Sequence, residues 1–179
     1  MKIGLVRHFK VLHDQPQNKM VSQEDIMAWF AEYDQAEVKK GEVHLGDVKW
    51  ECCYSSDLPR AVTTAEALFD GRIIQEPAIR EIKMYPLFKR NVKLPFWGWA
   101  ILLRIAWLLH HHSQLERKPL IIQRINVFLD ELENSLHEQI LIVGHGAMMI
   151  YMQKELSMRG YRGPAIRNPK NGRLYLYEK

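Results

Sequence analysis

The sequence predicts an α/β fold, a three-layer α/β/α sandwich around a mostly parallel central sheet. Short apolar runs typical of strands alternate with longer segments whose apolar residues recur at helical spacing. One run, over 139–143, is apolar after its first residue and ends at a glycine, as expected of a buried parallel strand. With 179 residues and 47% hydrophobic content, the chain is large enough for one core. We therefore expect a single domain over 1–179, with a divergent apolar helical insertion at about 86–118.

Local patterns predict each element. The predicted strands cover residues 2–6, 50–55, 72–75, 139–143 and 173–177, and the predicted helices include 119–136 and 147–158. Ser22 precedes Asp25 by three residues, which indicates a helix start, and apolar residues follow at helical spacing. Pro59 fits the first turn of another helix, because an N–H at that position would have no partner there.

The charge balance restricts the class of ligand. Lys and Arg number 25 against 21 acidic residues, a formal net charge of +4. Such a mild excess is compatible with an anionic substrate or a weak attraction to nucleic acid. Neither zinc-finger spacing nor a basic run interleaved with aromatics occurs, so we do not expect a nucleic-acid partner.

The only cysteines, Cys52 and Cys53, are adjacent. Neighbouring cysteines rarely form a structural disulfide, because their Cβ directions diverge. We expect two small side chains on opposite faces of a buried strand, in a reducing compartment. The N-terminus enters a strand pattern directly and does not resemble a signal peptide, so we expect a cytoplasmic location.

Chemically active side chains follow the ends of the predicted strands. Arg7 and His8 follow the first strand, Arg60 the second, Glu81 the third, and His145 the run that ends at Val143. Open α/β sheets bind ligands beyond the carboxyl ends of their strands, so these residues are expected to converge. Two arginines can hold a phosphoryl group through paired hydrogen bonds, and a neutral imidazole can attack its phosphorus. A carboxylic acid can then protonate the leaving group.

Three segments are similar to a known family. They are Leu5-Val6-Arg7-His8, Ser55-Ser56-Asp57-Leu58-Pro59-Arg60-Ala61-Val62-Thr63-Thr64-Ala65 and Val143-Gly144-His145-Gly146. Together they resemble the histidine phosphatase superfamily, the phosphoglycerate-mutase-like proteins, over roughly residues 1–85 and 139–158 and the last strand.

The resemblance implies a role for each residue. His8 would be the phosphorylated nucleophile, Arg7, Arg60 and His145 would bind the phosphoryl group, and Glu81 would donate the proton. It implies a phosphoglycerate-mutase-like fold and a small phosphorylated substrate. We expect no cofactor, and no metal, because the arginines supply the charge that magnesium would.

The sequence departs from the family pattern in three places. Phe9 and Lys10 stand where the family has glycine and then an acidic or polar residue. Glycine permits close backbone approach to a ligand, so we expect Phe9 to reshape or narrow the pocket beside His8. The family's phosphate-contacting asparagine has no clear match: Asp14 lies near its spacing and Asn18 lies later. After Glu81 the family's glycine-tryptophan-glutamate-glycine pattern is replaced by Lys83-Met84-Tyr85-Pro86.

Two further segments invite a functional interpretation. Three consecutive histidines, His110 to His112, would point about 100° apart on a helix and so favour a polar helix end over a metal site. The Trp-rich segment 95–109 is shorter than the ~20 apolar residues of a membrane span. It is a buried cap helix, an apolar lid, or a surface for a partner or membrane. We favour a helix packed near the site mouth, and a homodimer through the segment 95–109 if its apolar surface is exposed.

Three functions remain open at this point. The first is a phosphomonoesterase acting through phosphohistidine on a small phosphorylated metabolite. The second is a phosphoglycerate-type phosphomutase, although the family's mutases are longer. The third is a non-catalytic module that binds a phosphorylated ligand. Sugar phosphates, nucleotides, cofactor precursors and phosphoprotein side chains are all candidate substrates.

Overall fold

A computed structural model describes residues 1–17 and 19–179. In chain order the elements are β1 (Lys2–Arg7), β2 (Lys10–Val11), β3 (Val21–Ser22), α1 (Gln23–Gln35), β4 (Val38–Lys39), β5 (Cys52–Ser55), α2 (Pro59–Leu68), β6 (Ile73–Gln75), a 3-10 turn (Pro77–Ile79), β7 (Lys93–Leu94), α3 (Phe96–Leu108), α4 (Lys118–Glu133), β8 (Gln139–Gly144), α5 (Gly146–Met158) and β9 (Leu174–Glu178).

The central sheet has the strand order β6-β5-β8-β1-β9. Neighbouring strands are parallel except β9, which pairs antiparallel with β1 at the edge. The predicted mostly parallel sheet is thus confirmed. Its register places Arg7 opposite Gly144 and Ser55 opposite Val143. Three strands therefore end together at one edge, where the candidate site residues follow them.

Helices cover both faces of this sheet. On one face α4 and α5 pack their apolar side chains, including Phe128, Leu129 and Met152, against β1 and β8. On the other face α2 contributes Ala61 and Ala65. Small side chains on α2 let the helix approach the sheet closely, which fixes the position of the residues at its N-terminus. The predicted three-layer sandwich is confirmed.

The two cysteines take opposite sides of β5. Cys52 belongs to the core under α4 and α5, while Cys53 belongs to the core under α2. Both are buried free thiols. Alternation along a strand explains the arrangement, which is the one predicted from their adjacency.

Two predicted helix starts are confirmed. Ser22 caps α1: its Oγ accepts from Asp25 N at 3.1 Å, while Asp25 Oδ2 accepts from Ser22 N at 3.0 Å. This reciprocal pair is the capping box expected from the spacing. Pro59 is the first residue of α2.

Element ends differ from the prediction by a few residues. Helix α4 ends at Glu133 and not at residue 136, and the Leu136 side chain is almost fully exposed. Strand β5 begins at Cys52: the N–H of Trp50 donates to the nearby carbonyl of Val48 at 3.1 Å, and the Trp50 indole lies across Gly4 of β1. A side chain at residue 4 would collide with that ring.

The Trp-rich segment forms α3, which packs on α1. Its Trp99 and Leu103 are buried against Val21 and Ile26, and Trp99 Nε1 donates to the carbonyl of Val21 at 2.8 Å. Trp107 is also buried. Within residues 1–17 and 19–179, no helix has both the length and the apolar character needed to cross a bilayer.

Candidate active site

His8 lies immediately beyond β1 and is held by backbone contacts on both sides. Its N–H donates to the carbonyl of Gly144 at 3.0 Å. Its carbonyl accepts from Nδ2 of Asn171 at 2.7 Å. With only 3% of its surface exposed, the residue has a fixed position at the edge where β1 and β8 end.

A backbone hydrogen bond sets the tautomer of the His8 ring. Nδ1 lies 2.6 Å from the carbonyl oxygen of Phe9, which can only accept, so Nδ1 carries the hydrogen. Nε2 then keeps its lone pair. Burial lowers the pKa of His8 to about 3; the Phe9 hydrogen bond opposes this shift, and the Arg60 and Arg7 charges add to it. The ring is therefore neutral at ordinary pH, as a nucleophile must be.

Phe9 holds the histidine with its backbone and packs its ring elsewhere. Its N–H donates to Oγ1 of Thr64 at 2.9 Å, and that hydroxyl donates to the carbonyl of Arg60 at 2.6 Å. The Phe9 ring is buried in a small apolar cluster with Val11 and Val38. The substitution for glycine thus fills a secondary core around β2 and β4.

His145 caps the N-terminus of α5 and faces His8. The two ring centroids lie 5.2 Å apart. Nε2 of His145 is 2.7 Å from Oγ of Ser56, whose hydroxyl can donate and so leave the hydrogen of the neutral ring on Nδ1. Burial, followed by the charge of Arg60, holds the pKa of His145 well below its usual range.

Arg7 and Arg60 are each anchored by one end of the guanidinium. Nη1 of Arg7 donates to the carbonyl of Pro169 at 2.9 Å. Nη1 of Arg60 donates to Oδ1 of Asp34 at 2.8 Å, and its Cζ lies 5.3 Å from the centroid of the Tyr33 ring. Such anchoring orients the remaining donors before any ligand arrives.

Three buried donors at the site lack a hydrogen-bond partner among the residues that the structure describes. They are Nε of Arg7, Nε of Arg60 and Nδ1 of His145; Nε of Arg124, whose Nη2 contacts the segment of Glu81, also lacks a partner there. Unsatisfied buried donors are rare because each loses its hydration without replacement. Their convergence on one strand edge therefore indicates the binding place of an anion with several acceptor oxygens.

The N-terminus of α5 adds to this anion site. Gly146 has no side chain, and a Cβ there would lie 3.4 Å from Nε of Arg7. The glycine thus permits the guanidinium to lie close to the first turn of the helix. Free backbone N–H groups and the helix dipole favour negative charge at such a position.

Glu81 lies beside the same helix turn. Its Oε1 accepts from the N–H of Ile82 at 3.1 Å, and its Oε2 accepts from the N–H of Ala147 at 3.3 Å. Burial raises the pKa of this carboxyl; the two hydrogen bonds, Arg60 and Arg7 oppose the shift. Burial thus favours the protonated form of this carboxyl more than in an exposed glutamate.

The segment that carries Glu81 is held by hydrogen bonds from residues that lie outside the predicted site. Nη2 of Arg124 donates to the carbonyl of Arg80 at 2.9 Å, and Oε2 of Glu116 accepts from the N–H of Lys83 at 2.7 Å. Arg124 and Glu116 pair with each other at 3.4 Å. They hold Glu81 from both sides, in place of the family pattern that the sequence lacks after it.

Other supporting residues also come from distant parts of the chain. Ser56 and Thr64 lie inside the quoted motif, which could have drawn attention to them, whereas Asn171 and Asp34 carry no sequence signal. The exposed Asp14 contacts Trp29 through its backbone carbonyl. Asn18, the other candidate for the missing asparagine, lies outside the described residues.

A row of aromatic side chains connects α3 to the site. Phe96 meets Trp29 edge-on, Trp29 stacks on Tyr33, and Tyr33 lies against the Arg60 guanidinium. The Trp-rich helix therefore packs beside the residues that support the anion site.

The histidine triplet lies past the end of α3. His110 has a positive φ of 56°, and the rings of His111 and His112 are 4.2 Å apart. In the described ranges 1–17 and 19–179, no three His, Cys, Asp or Glu side chains are grouped so that they could hold a metal ion.

Solved structures share this fold. Bacillus stearothermophilus YhfR has a TM-score of 0.59 and 19% identity, with 99% of this chain and 90% of that chain covered. A putative alpha-ribazole-5'-P phosphatase from Escherichia coli has a TM-score of 0.55 and 17% identity, with 92% and 87% covered. A phosphoglycerate mutase from Bacillus anthracis has a TM-score of 0.53 and 16% identity, with 88% and 80% covered.

Sequence comparison identifies the family. No curated protein is similar enough in sequence to count as a match. The model of the histidine phosphatase superfamily (branch 1) matches residues 3–176, including the middle of the chain that the motifs left unmatched. The chain belongs to the histidine phosphatase superfamily, branch 1.

Proposed function

We propose that the protein is a phosphomonoesterase that acts through a phosphohistidine at His8 on a small phosphorylated metabolite. The observation that carries the proposal is the set of three unpartnered buried donors around the neutral His8 ring, counted over residues 1–17 and 19–179. A phosphoryl group offers the acceptor oxygens that these donors need.

In the first step, Nε2 of His8 attacks phosphorus and the bond to the ester oxygen breaks. Arg7, Arg60 and His145 stabilise the negative charge on the equatorial oxygens. The leaving alkoxide takes the proton of Glu81 and departs as an alcohol. This step leaves a phosphorylated His8 and an ionised Glu81.

In the second step, water attacks the phosphohistidine. Glu81 takes a proton from that water, the N–P bond breaks, and inorganic phosphate leaves with the electron pair returned to Nε2. His8 and Glu81 are then as they began. Burial raises the pKa of Glu81, which supports its role as the proton donor of the first step, and the carboxylate left behind can accept a proton in the second.

Relatives support this class of chemistry but differ in outcome. One similar structure is named a putative alpha-ribazole-5'-P phosphatase, and another is named a phosphoglycerate mutase. A mutase would pass the phosphoryl group to a second hydroxyl, whereas the proposed enzyme passes it to water. A non-catalytic binding module would bind phosphate and form no phosphoenzyme.

The proposal also covers the location of the protein in the cell and its domain organisation. We propose that the protein works in the cytoplasm, which the two free buried cysteines support, since a reducing compartment keeps such thiols unpaired. We retain the prediction of one domain over 1–179 with an insertion at about 86–118.

The test measures phosphate release from p-nitrophenyl phosphate and from a panel of phosphorylated metabolites, with samples quenched in alkali, in which phosphohistidine is stable, assayed for the phosphoenzyme. We expect steady phosphate release and a labelled His8 peptide. His8→Ala abolishes both, and the matched variant His44→Ala, at an exposed histidine, changes neither.

The alternatives give different results in the same assay. Transfer to an added phosphate acceptor without phosphate release identifies a mutase. Binding of orthophosphate or vanadate without any phosphoenzyme identifies a binding module. Equal turnover in wild type and His8→Ala overturns the proposal altogether.

A further inference from the structure

Helix α3 is apolar on two opposite sides. One side carries Trp99, Leu103, Ala106 and Trp107, which are buried against the rest of the chain. The helix has just one charged residue, Arg104. A helix that is apolar all round is normally covered all round, so its other side requires an explanation.

The second side is open. Trp97, Ile101, Ile105 and Leu108 are between 46% and 64% exposed. At about 100° per residue they fall within an arc of about 80° on the helix, opposite the buried side. We call these four residues the α3 outer face. These four residues belong to the segment 95–109, through which a homodimer is predicted if its apolar surface is exposed, whereas Trp99 and Trp107 of the same segment are buried.

Exposed apolar side chains are concentrated around this face. Among the described residues, eight of the thirteen exposed large hydrophobic side chains lie between residues 88 and 120; they are Phe88, Trp97, Ile101, Ile105, Leu108, Leu109, Leu115 and Leu120. Scattered single residues need no explanation, but a contiguous group marks an interaction surface.

The same stretch is strongly basic. Residues 88–120 contain six exposed basic side chains: Lys89, Arg90, Lys93, Arg104, Arg117 and Lys118. Their one acidic residue, Glu116, already pairs with Arg124. Since the whole chain has 25 basic and 21 acidic residues, the remainder is close to neutral. The net positive charge of the molecule thus falls in the same stretch of the chain as its exposed apolar helix.

We propose that the α3 outer face docks on an anionic lipid surface. Apolar side chains including a tryptophan would enter the boundary between headgroups and acyl chains, and the surrounding cations would contact lipid phosphates. The helix lies in the plane of the surface: its 13 residues extend about 20 Å, short of the roughly 30 Å apolar thickness of a bilayer.

Charge decides between a membrane and a second copy of the chain. A two-fold dimer through the α3 outer face would bring the same six cations of each copy towards one another, which is unfavourable. An anionic bilayer is complementary to both the apolar stripe and its basic surroundings. This docking is independent of the chemistry at His8.

Vesicle cosedimentation tests the proposal directly. We expect wild-type protein to sediment with phosphatidylcholine vesicles containing a quarter phosphatidylglycerol and to remain in solution with pure phosphatidylcholine. Ile101→Glu weakens the partition by about tenfold or more, because a charge replaces an inserted side chain. Lys93→Glu and added salt weaken it as well.

Leu136→Glu is the matched control, since Leu136 is an equally apolar and even more exposed residue outside this region. It leaves the partition unchanged, and thermal melting of both variants checks that they are folded. Absence of binding to the anionic vesicles, or equal binding by Ile101→Glu and wild type, overturns the proposal.

Analytical ultracentrifugation tests the alternative, a homodimer through the α3 outer face. A dimer that Ile101→Glu dissociates, together with no vesicle binding, assigns the face to the predicted homodimer and overturns lipid docking.

Discussion

Oγ of Ser56 lies 2.7 Å from Nε2 of His145, and both residues are fully buried. The contact links the end of β5 to the start of α5. When the Ser56 hydroxyl donates to Nε2, the hydrogen of the neutral His145 ring is on Nδ1, and Nδ1 can donate to a bound phosphoryl group.

We expect Ser56→Ala to lower kcat/KM by about tenfold, the effect of losing one hydrogen bond of roughly 1–1.5 kcal/mol. Phosphate binding should weaken in parallel, because the loss concerns a donor to the anion. Ser55→Ala is the control: that neighbouring buried hydroxyl donates its hydrogen bond to the carbonyl of Ser56 at 2.8 Å and not to His145. Equal effects of the two variants would contradict the assigned contact.

The loss of activity in Glu81→Gln should depend on the leaving group of the substrate. An amide cannot supply the proton, so turnover of alkyl phosphates should fall by about 100-fold or more, while p-nitrophenyl phosphate, whose leaving group needs little protonation, is much less affected. The pH profile gives an independent check. Burial raises the pKa of Glu81, so wild-type activity on alkyl phosphates should decline as this carboxyl ionises on the alkaline side. Persistence of that alkaline decline in Glu81→Gln would assign it to another group.

Arg124→Met should act through Glu81. The variant loses the donation to the carbonyl of Arg80 and the pair with Glu116, which together hold the segment on both sides of the acid. We expect about a tenfold lower kcat on alkyl phosphates, little change on p-nitrophenyl phosphate, and an alkaline limb displaced from that of wild type. Arg167→Met, at an exposed arginine, provides the comparison. A uniform loss on both substrates would indicate a structural role alone.

The buried histidines make the fold sensitive to acid. The pKa of His8 is lowered to about 3 in the folded state, against 6.5 for the ordinary group, so the unfolded chain binds the proton more readily. Stability is therefore complete above pH 6.5 and is lost as the pH falls towards 3, by on the order of 4 kcal/mol for His8 alone. Denaturant unfolding at pH 4 and pH 7 measures the part of this loss that falls in that range, about 3 kcal/mol. His8→Phe should reduce the difference between the free energies of unfolding at pH 4 and pH 7. An unchanged difference would exclude His8 as its source.

The sequence predicts the elements whose signal is local. The Ser22–Asp25 cap and the proline at the start of α2 depend on neighbours a few residues away, and both are found where expected. The apolar run before Gly144 identifies the central strand for the same reason. Two-residue strands such as β2 and β7 have no period to detect, because each exists only through its pairing partner.

In the candidate site, too, the residues with a local sequence signal are predicted and those without one are not. Arg7, His8, Arg60, Glu81 and His145 were named from strand ends and family motifs, and the structure brings them to one edge of the sheet; their roles stay predictions. The residues that hold them in place were not named. Asn171 contacts His8 across 163 positions of the chain, and Ser56 contacts His145 across 89, distances over which no local pattern carries information.

The placement of the two cysteines has a practical consequence for experiments on this protein. Burial raises the pKa of Cys52 to about 11 and that of Cys53 to about 12, so both thiols stay protonated and react slowly with alkylating reagents. A single cysteine introduced at an exposed position, such as residue 101, would then be the preferred target of a maleimide dye. Fluorescent or spin labels can thereby be attached to α3 in the otherwise native chain.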